Sequence, residues 1–115
     1  MVLYGTSIPG TSTAIGKGQA NTMLIVKGCR EPGTAARICN DLSLGGYDDW
    51  FLPSKDELNQ MYLHKDAIGG FGSYLYWSSS QYNANNAWYQ NFANGDSGAN
   101  IKVQPNYHVR AVRSF

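Results

Sequence analysis

Charged residues are scarce in this chain and nearly absent from one long stretch of it. Asp, Glu, Lys and Arg together make up 15% of the 115 residues, and the formal net charge is +1. Between residues 67 and 101 the only charged side chain is that of Asp96. Because attraction to phosphates or anionic lipids needs concentrated positive charge, this composition predicts neither nucleic acid nor a membrane surface as partner. A surface built from this stretch would recognise its ligand through shape, ring stacking and neutral hydrogen bonds.

Cysteine, histidine and long apolar runs are also in short supply. Cys29 and Cys39 are too few for a disulfide-rich scaffold, although they could form one bridge or remain as two reduced core residues. His64 and His108 fit no catalytic pattern, and their spacing from the cysteines is not that of a zinc site. No apolar run approaches the roughly 20 residues of a membrane span, and no signal peptide is recognisable. We therefore expect no enzymatic activity, no metal, no cofactor and no direct membrane insertion.

The remaining composition is that of one small globular domain. Apolar residues make up 43% and aromatic residues 13% of the sequence, which is enough to build a hydrophobic core. We therefore expect residues 1–115 to fold as a single domain. The apolar start, Met1-Val2-Leu3, suggests a domain taken from a larger protein, of which it could be the C-terminal part.

Local patterns in the first half predict one strand followed by two helices. The apolar run 22–26 contains β-branched residues and predicts a buried strand. Thr34 is a suitable N-cap for a helix from residue 35 to about residue 44. Ser54 and Glu57 have the spacing of a capping box and predict the start of a second helix.

Local patterns in the second half predict several antiparallel strands. The Gly-Gly pair at 69–70 ends the second helix, and strand-like alternation follows it. The Asn-Gly pair at 94–95 predicts a hairpin between a strand at 87–92 and another near 100–103. Alternation over 108–114 predicts a final strand. Helices that precede a run of antiparallel strands indicate the α+β class.

The last third of the chain sets small polar and tyrosine residues into a frame of large apolar ones. Seven of the ten asparagines fall between residues 81 and 108. Tyrosine offers rigid contact area and asparagine and serine offer adaptable hydrogen bonding, so this mixture is typical of binding surfaces. We expect a semi-flat recognition face, and we call the following residues the predicted contact set: Tyr82, Asn83, Asn85, Asn86, Tyr89, Asn91, Asn94, Asp96, Ser97, Asn100, Tyr107 and His108. The expected scaffold residues are Trp50, Trp77, Trp88, Phe92, Val109 and Val112.

Short spaced motifs run through the second half of the chain. They are Gly-Tyr-Asp-Asp-Trp-Phe-Leu-Pro with a following Glu-Leu (46–58), Tyr-Trp-Ser-Ser (76–79), Ala-Trp (87–88), Phe92, Gly95 and Val-Arg-Ala-Val-Arg (109–113). Together they resemble the Lcl C-terminal domain family of bacterial collagen-like adhesins over roughly residues 20–115. This resemblance implies a C-type-lectin-like fold, with two helices packed on antiparallel β-strands. Phe51 departs from the family, which usually carries Arg there, and we expect packing to replace a charge pairing.

The asparagine-rich sequence between the large apolar residues of the last third also resembles the variable proteins of diversity-generating retroelements. In those systems a reverse transcriptase mutates adenines, and asparagine codons begin with two adenines. The resemblance implies that the predicted contact set is hypervariable while the lectin-like backbone stays constant. The function it implies is non-enzymatic display on a bacterial cell surface or a phage particle, with a protein or glycan on another surface as ligand.

Two other functions fit the same sequence. The first is an invariant glycan-binding adhesin, in line with the family resemblance. The second is a structural or oligomerisation module of a surface or phage tail protein, in which the chain would form a homo-oligomer.

Two further features of the last third bear on these functions. Gln104-Pro105-Asn106 is similar to the tripeptide of calcium-dependent lectins, but Asp96 is the only acid nearby, so we expect no calcium site. Arg110 and Arg113 lie three residues apart on an expected strand and point to opposite faces. We expect one of them to pair with an aspartate at 48 or 49 and so brace the loop before Pro53.

Overall fold

Four helices precede three strands in the part of the chain that the structure describes. The computed structural model describes residue 8 and residues 10–28, 34–83, 85–102 and 107–113. The elements are α1 (Gly18–Gly28), α2 (Ala35–Asn40), α3 (Lys55–Leu63), α4 (Lys65–Ile68), β1 (Leu75–Gln81), β2 (Asn86–Asn91) and β3 (Ser97–Ile101). The predicted α+β class is confirmed. No helix in these ranges combines the length and the apolar character that crossing a bilayer requires.

The three strands form one antiparallel sheet in the order β1-β2-β3. Tyr89 in the middle of β2 pairs with Trp77 of β1 and with Gly98 of β3. The predicted Asn-Gly hairpin is confirmed, because Gly95 adopts a φ of 85° and its N–H donates to the Asn91 carbonyl at 2.7 Å. The strand after it begins earlier than predicted, at Ser97.

The predicted helix starts are confirmed by their caps. The Thr34 side chain accepts from the backbone N–H of Arg37 at the start of α2. At the start of α3, Ser54 and Glu57 form the complete capping box, in which each side chain bonds the other residue's backbone N–H. The helix α2 ends at Asn40, before the predicted end near residue 44, since the chain then turns through two glycines with positive φ at 45 and 46.

The strand predicted over residues 22–26 is wrong, because these residues belong to α1. The buried positions of α1 are Gly18, Asn21, Thr22 and Ile25, which have helical spacing. Three of these four residues are not apolar, so hydrophobic periodicity does not reveal the buried side of the helix. The Thr22 hydroxyl donates to the Gly18 carbonyl at 2.8 Å, lies within 3.2 Å of the Leu52 carbonyl and accepts the N–H of Leu52 at 3.0 Å. These hydrogen bonds connect α1 to the chain at Leu52, beside the buried side chain of Ile25.

Both faces of the sheet are covered by hydrophobic clusters. We call the face that carries Trp77 and Ala87 the first face and the face that carries Tyr76 the second face, since neighbouring strand residues point to opposite sides. The first-face core consists of Ile8, Ile25, Ala35, Ala36, Cys39, Leu52, Trp77 and Ala87. The second-face core consists of Leu58, Met61, Tyr76 and Phe92. The helix α1 contacts β1, whereas α3 contacts both β1 and β2.

The six expected scaffold residues differ in how deeply they are buried. Trp77 and Phe92 are fully buried. Val109 packs against the first-face core and Val112 against the second-face core, each only partly buried. Trp50 and Trp88 are half-buried and each presents part of its ring at the surface. Phe51 is buried, as expected for packing in place of a charge pairing.

The final strand predicted over 108–114 is reduced to two separate bridges within the described residues. His108 pairs with Tyr76 in a parallel bridge, and Val112 pairs with Phe51 in an antiparallel one. The segment changes its partner between these two points, so no continuous ladder forms. The predicted brace is confirmed: Arg113 pairs with Asp49 at 2.7 Å.

Cys39 is a buried free thiol in the first-face core. Burial raises the pKa of this thiol to about 12, so it stays protonated at neutral pH. Cys29, its candidate disulfide partner, lies outside the described residues.

Candidate ligand-binding surfaces

The pleat of the sheet divides the predicted contact set between the two faces. Tyr89 and Asn100 lie on the first face, because Tyr89 pairs with Trp77 and Asn100 pairs with Ala87. Ser97 pairs with Gln90 and therefore lies on the second face. The β-strand period of two residues explains this division, since a continuous stretch of candidate positions cannot all point one way. The predicted contact set therefore does not form one semi-flat face but lies on several smaller surfaces.

The first of these surfaces is an aromatic cluster on the first face. The rings of Tyr89 and Tyr107 meet edge to face at 5.1 Å, and Tyr107 also packs on Trp77 at 4.6 Å. The side-chain amide of Asn100 donates to the Tyr107 hydroxyl at 2.9 Å. Both tyrosines are half-buried against the first-face core, unlike the exposed Tyr82. They contribute to packing as well as to any contact.

The second surface is the turn between β1 and β2. Tyr82 is 58% exposed, and its ring meets the edge of Trp88 at 5.4 Å. The ammonium of Lys55 lies 5.0 Å from the centre of the Trp88 ring, a cation–π contact. Asn85 is exposed beside them. The contact between Lys55 and Trp88, an expected scaffold residue, was not predictable, because no local pattern links the start of α3 to β2.

Several asparagines of the predicted contact set stabilise the turns themselves. The side-chain oxygen of Asn83 accepts the backbone N–H groups of Asn85 and Asn86, at 2.9 and 2.8 Å. In the hairpin, Asn91 accepts from Ala93 and Asn94 accepts from Asp96 in the same manner. These contacts are Asx-turn interactions, in which the side chain takes the place of a backbone acceptor. The oxygens of Asn83, Asn91 and Asn94 therefore have a structural role.

The remaining members of the set lie at the edges of these surfaces. Asp96 and Ser97 are exposed at the beginning of β3, and Asn86 is half-buried at the start of β2. His108 lies on the other side of β1 from β2, where its ring stacks on Tyr74 at 4.0 Å. His108 thus lies across β1 from the members of the predicted contact set on β2 and β3, although it follows Tyr107 directly in the chain.

A groove outside the predicted contact set has a volume of about 440 Å³. It is lined by Tyr47, Trp50, Met61, Ile68, Arg110, Ala111, Val112 and Arg113. Tyr47 and Ile68 on its walls are 50% and 48% exposed. No local sequence pattern predicts this groove, because its residues come from four separate segments.

The two arginines of the groove are held in different ways. Arg113 forms two hydrogen bonds to Asp49, at 2.7 and 3.2 Å, and stacks over Tyr47 at 3.6 Å. The hydrogen bond from Arg113 holds the pKa of the Asp49 carboxyl below its usual range. Arg110 instead donates to the Gly69 carbonyl at 3.2 Å and lies 4.4 Å over the ring of Phe71.

No metal centre is found within the described part of the chain, where no three His, Cys, Asp or Glu side chains come together. The calcium-lectin-like tripeptide at 104–106 lies outside that part.

The described residues therefore define a small α+β domain with a buried aromatic frame and asparagine-rich turns that carry little charge. The model of the Lcl C-terminal domain family matches residues 12–113, and the chain belongs to this family. The family resemblance drawn from the spaced motifs is confirmed. Family membership is consistent with an adhesin-like surface domain. A search of curated proteins found no match.

Proposed function

We propose that this chain is a non-enzymatic display domain with a C-type-lectin-like fold. It is carried on a bacterial cell surface or a phage particle and recognises a protein or glycan on another surface. The proposal rests on one observation: along β1, β2 and the turn between them, the side chains that form the cores are different from the exposed side chains that are available to a ligand. Trp77, Ala87 and Phe92 are fully buried, whereas Tyr82 and Asn85 project from the turn that joins the same strands. A rigid frame that presents an aromatic anchor beside amides is the arrangement that adaptable binding surfaces use.

We further propose that the domain is a variable protein of a diversity-generating retroelement. Its exposed positions, such as Tyr82, Asn85, Asp96 and Ser97, can change without disturbing either core. Substitution at Asn83, Asn91 or Asn94 would remove a turn hydrogen bond, so these sites tolerate diversification at a cost in stability. The ligand contact is therefore expected to centre on the turn between β1 and β2 and on the start of β3.

Binding is tested by comparing the domain with a Tyr82→Ala/Asn85→Ala variant on a glycan array and on a panel of intact cells. We expect the double variant to lose binding, because the exposed aromatic anchor and its neighbouring amide are removed. Its melting temperature should stay unchanged, since both side chains are exposed. Leu44→Ala is a matched control, because Leu44 is 59% exposed, like Tyr82 at 58%. Binding that survives in the double variant would contradict the proposed contact site.

Family membership favours a second candidate function, an invariant glycan-binding adhesin. The same turn would then be a fixed site, and related chains would retain Tyr82 and Asn85. A third candidate, an oligomerisation module, is supported by β3, which is the last strand of the sheet within the described residues and is where a strand of a second subunit would pair. Sedimentation that changes with protein concentration would favour this third function.

A further inference from the structure

Lys55 brings a positive charge to the turn between β1 and β2, whose own residues are uncharged. Its ammonium lies 5.0 Å from the centre of the Trp88 ring, and Tyr82 meets the edge of the same ring at 5.4 Å. Helix α3 packs against β1 and β2, which brings its first residue to this turn. These three side chains, which we call the Lys55 cluster, combine one cation with two aromatic rings, and the Tyr82 side chain is 58% exposed.

The Lys55 ammonium has no anionic partner within the described residues, whose one ion pair lies elsewhere, beside the groove. The carboxylate of Glu57, two residues away, is occupied by two backbone N–H groups. Asp96 lies in the hairpin at the opposite end of β2. Because Lys55 is half-buried, its charge is screened less by water than that of a fully exposed lysine. Its three N–H donors are therefore available to a carboxylate that a ligand supplies.

The start of α3 does not itself offer free backbone donors. The N–H groups of residues 55–57 already donate to the Ser80 hydroxyl, the Thr13 carbonyl and the Ser54 hydroxyl, respectively. The preference of this position for an anion therefore comes from the ammonium of Lys55, and it depends on one side chain that can be replaced.

The Lys55 cluster fits an acidic protein side chain better than a sugar. One cation matches one carboxylate, whereas a polyanionic glycan needs a larger positive patch. Recognition of several sugar hydroxyls needs several free polar groups, but the side chains of Asn83 and Asn86 are bonded to each other at 3.1 Å. Tyrosine and tryptophan, by contrast, are the residues that anchor protein interfaces, where they pack against apolar atoms of the partner.

We propose that the Lys55 cluster determines the specificity of the display site and binds an aspartate or glutamate side chain of a protein ligand. This inference rests on the display function proposed above for the same turn. The carboxylate accepts charge-assisted hydrogen bonds from the Lys55 ammonium, and apolar atoms beside it pack on the rings of Tyr82 and Trp88. Because Lys55 lies outside the predicted contact set, the preference for an acidic ligand persists when the residues of that set vary.

The first test is selection of peptides from a random library displayed on phage, with the unchanged chain and Lys55→Glu as parallel baits. We expect Asp or Glu to be enriched on the unchanged chain and Lys or Arg to be enriched on Lys55→Glu, because the charge of the site is reversed. Lys27→Glu is the matched control, since it reverses an exposed charge on α1, and it should select the same acidic peptides as the unchanged chain. Equal enrichment on all three baits would overturn the proposal.

The second test measures the coupling between the acid and Lys55, with the best acidic peptide and its Asn or Gln counterpart. On the unchanged chain the amide peptide should bind about tenfold more weakly or worse, as loss of a charge-assisted hydrogen bond implies. On Lys55→Gln the two peptides should bind equally, because the partner of the carboxylate is gone. The melting temperature of Lys55→Gln should match that of the unchanged chain, since the ammonium forms no ion pair within the described residues. A preference for the acid that persists on Lys55→Gln would contradict the assigned role.

The Tyr82→Ala/Asn85→Ala variant separates failure of this proposal from failure of the display site. Peptides that require the turn but ignore Lys55→Gln would overturn the acidic preference and leave the display function standing. Peptides that bind both variants as well as the unchanged chain would place the contact elsewhere and overturn both proposals. Binding of an acidic sugar on a glycan array that depends on Lys55, with no acidic peptide enriched, would overturn the protein ligand in favour of a glycan.

Discussion

The asparagines of the last third show how one residue type serves two physical roles at single positions. Asn83 uses its side-chain oxygen to bind two backbone N–H groups and the side-chain amide of Asn86. Asn85, two residues away, is exposed. Composition predicts that both contact a ligand, because asparagine is frequent both in turns and in binding loops. Both side chains are exposed, and only the structure shows that Asn83 forms the hydrogen bonds of the turn.

Replacement of these two asparagines tests the distinction. Asn83→Ala should lower the free energy of unfolding by about 1 kcal/mol, because the backbone N–H groups of the turn lose their acceptor. Asn85→Ala is the matched control and should change it by less than about 0.5 kcal/mol, as is usual for an exposed side chain. Urea denaturation of both variants gives the comparison. Equal stability of the two would show that the Asn83 hydrogen bonds do not hold the turn.

The ion pair of Asp49 and Arg113 predicts a pH dependence at the residue scale. Arg113 lowers the pKa of Asp49 in the folded state, so the pair stabilises the protein above the unfolded pKa of aspartate, about 4. That contribution is lost as the pH falls through the lower, folded pKa. The melting temperature of Asp49→Asn should therefore lie below that of the unchanged chain at neutral pH and converge with it in acid.

Asp48→Asn is the control for this pH dependence, because Asp48 forms no salt bridge within the described residues. Its melting temperature should follow that of the unchanged chain across the pH range. A gap between Asp49→Asn and the unchanged chain that persists in strong acid would show that the pair is not its cause. The effect is expected to be small, since exposed ion pairs contribute little.

At the level of secondary-structure elements, capping chemistry was predicted well and the first helix was not. The caps at Thr34 and Ser54 depend on contacts within three residues, so their spacing in the sequence is sufficient. The burial of α1 depends on Asn21 and Thr22, whose partners Ser79 and Leu52 are distant in sequence. A search for apolar periodicity does not register buried polar residues, and the apolar run 22–26 therefore resembled a strand.

A substitution at Thr22 tests whether hydrogen bonding fixes α1. Thr22→Val keeps the shape of the side chain but leaves the buried Leu52 N–H without its acceptor. We expect a loss of about 1–3 kcal/mol in the free energy of unfolding, which is the cost of one unsatisfied buried donor. Thr13→Val is the matched control at an exposed position and should be nearly neutral. A neutral Thr22→Val would show that apolar packing alone holds the helix.

At the scale of the whole molecule, the fold class and the family were predictable, but the layout of the surfaces was not. The spaced motifs contain the residues that form both cores, such as Trp77, Ala87 and Phe92, so they identify the family. Which candidate residues share a surface depends on strand register, which places Tyr89 and Ser97 on opposite faces. The groove beside Arg110 depends on tertiary contacts between distant segments, which local sequence patterns do not specify.

The molecule as a whole therefore combines a doubly covered sheet with two separate surfaces. The turn between β1 and β2 carries the exposed aromatic and amide groups of the proposed display site. The groove beside residues 110–113 is lined by aromatic, aliphatic and arginine side chains. Because the two surfaces use different residues, a variant that disables one should leave the other intact.

Sequencing of the encoding locus and its flanks tests the display function most directly. A diversified receptor predicts a second copy of the 3′ end near a reverse transcriptase gene, differing from the first only at adenines of the copied template. The differences should include exposed positions such as Tyr82, Asn85 and Ser97, and they should spare the buried Trp77 and Phe92. Absence of such a repeat, or differences concentrated in the buried frame, would contradict diversification and leave an invariant adhesin as the function.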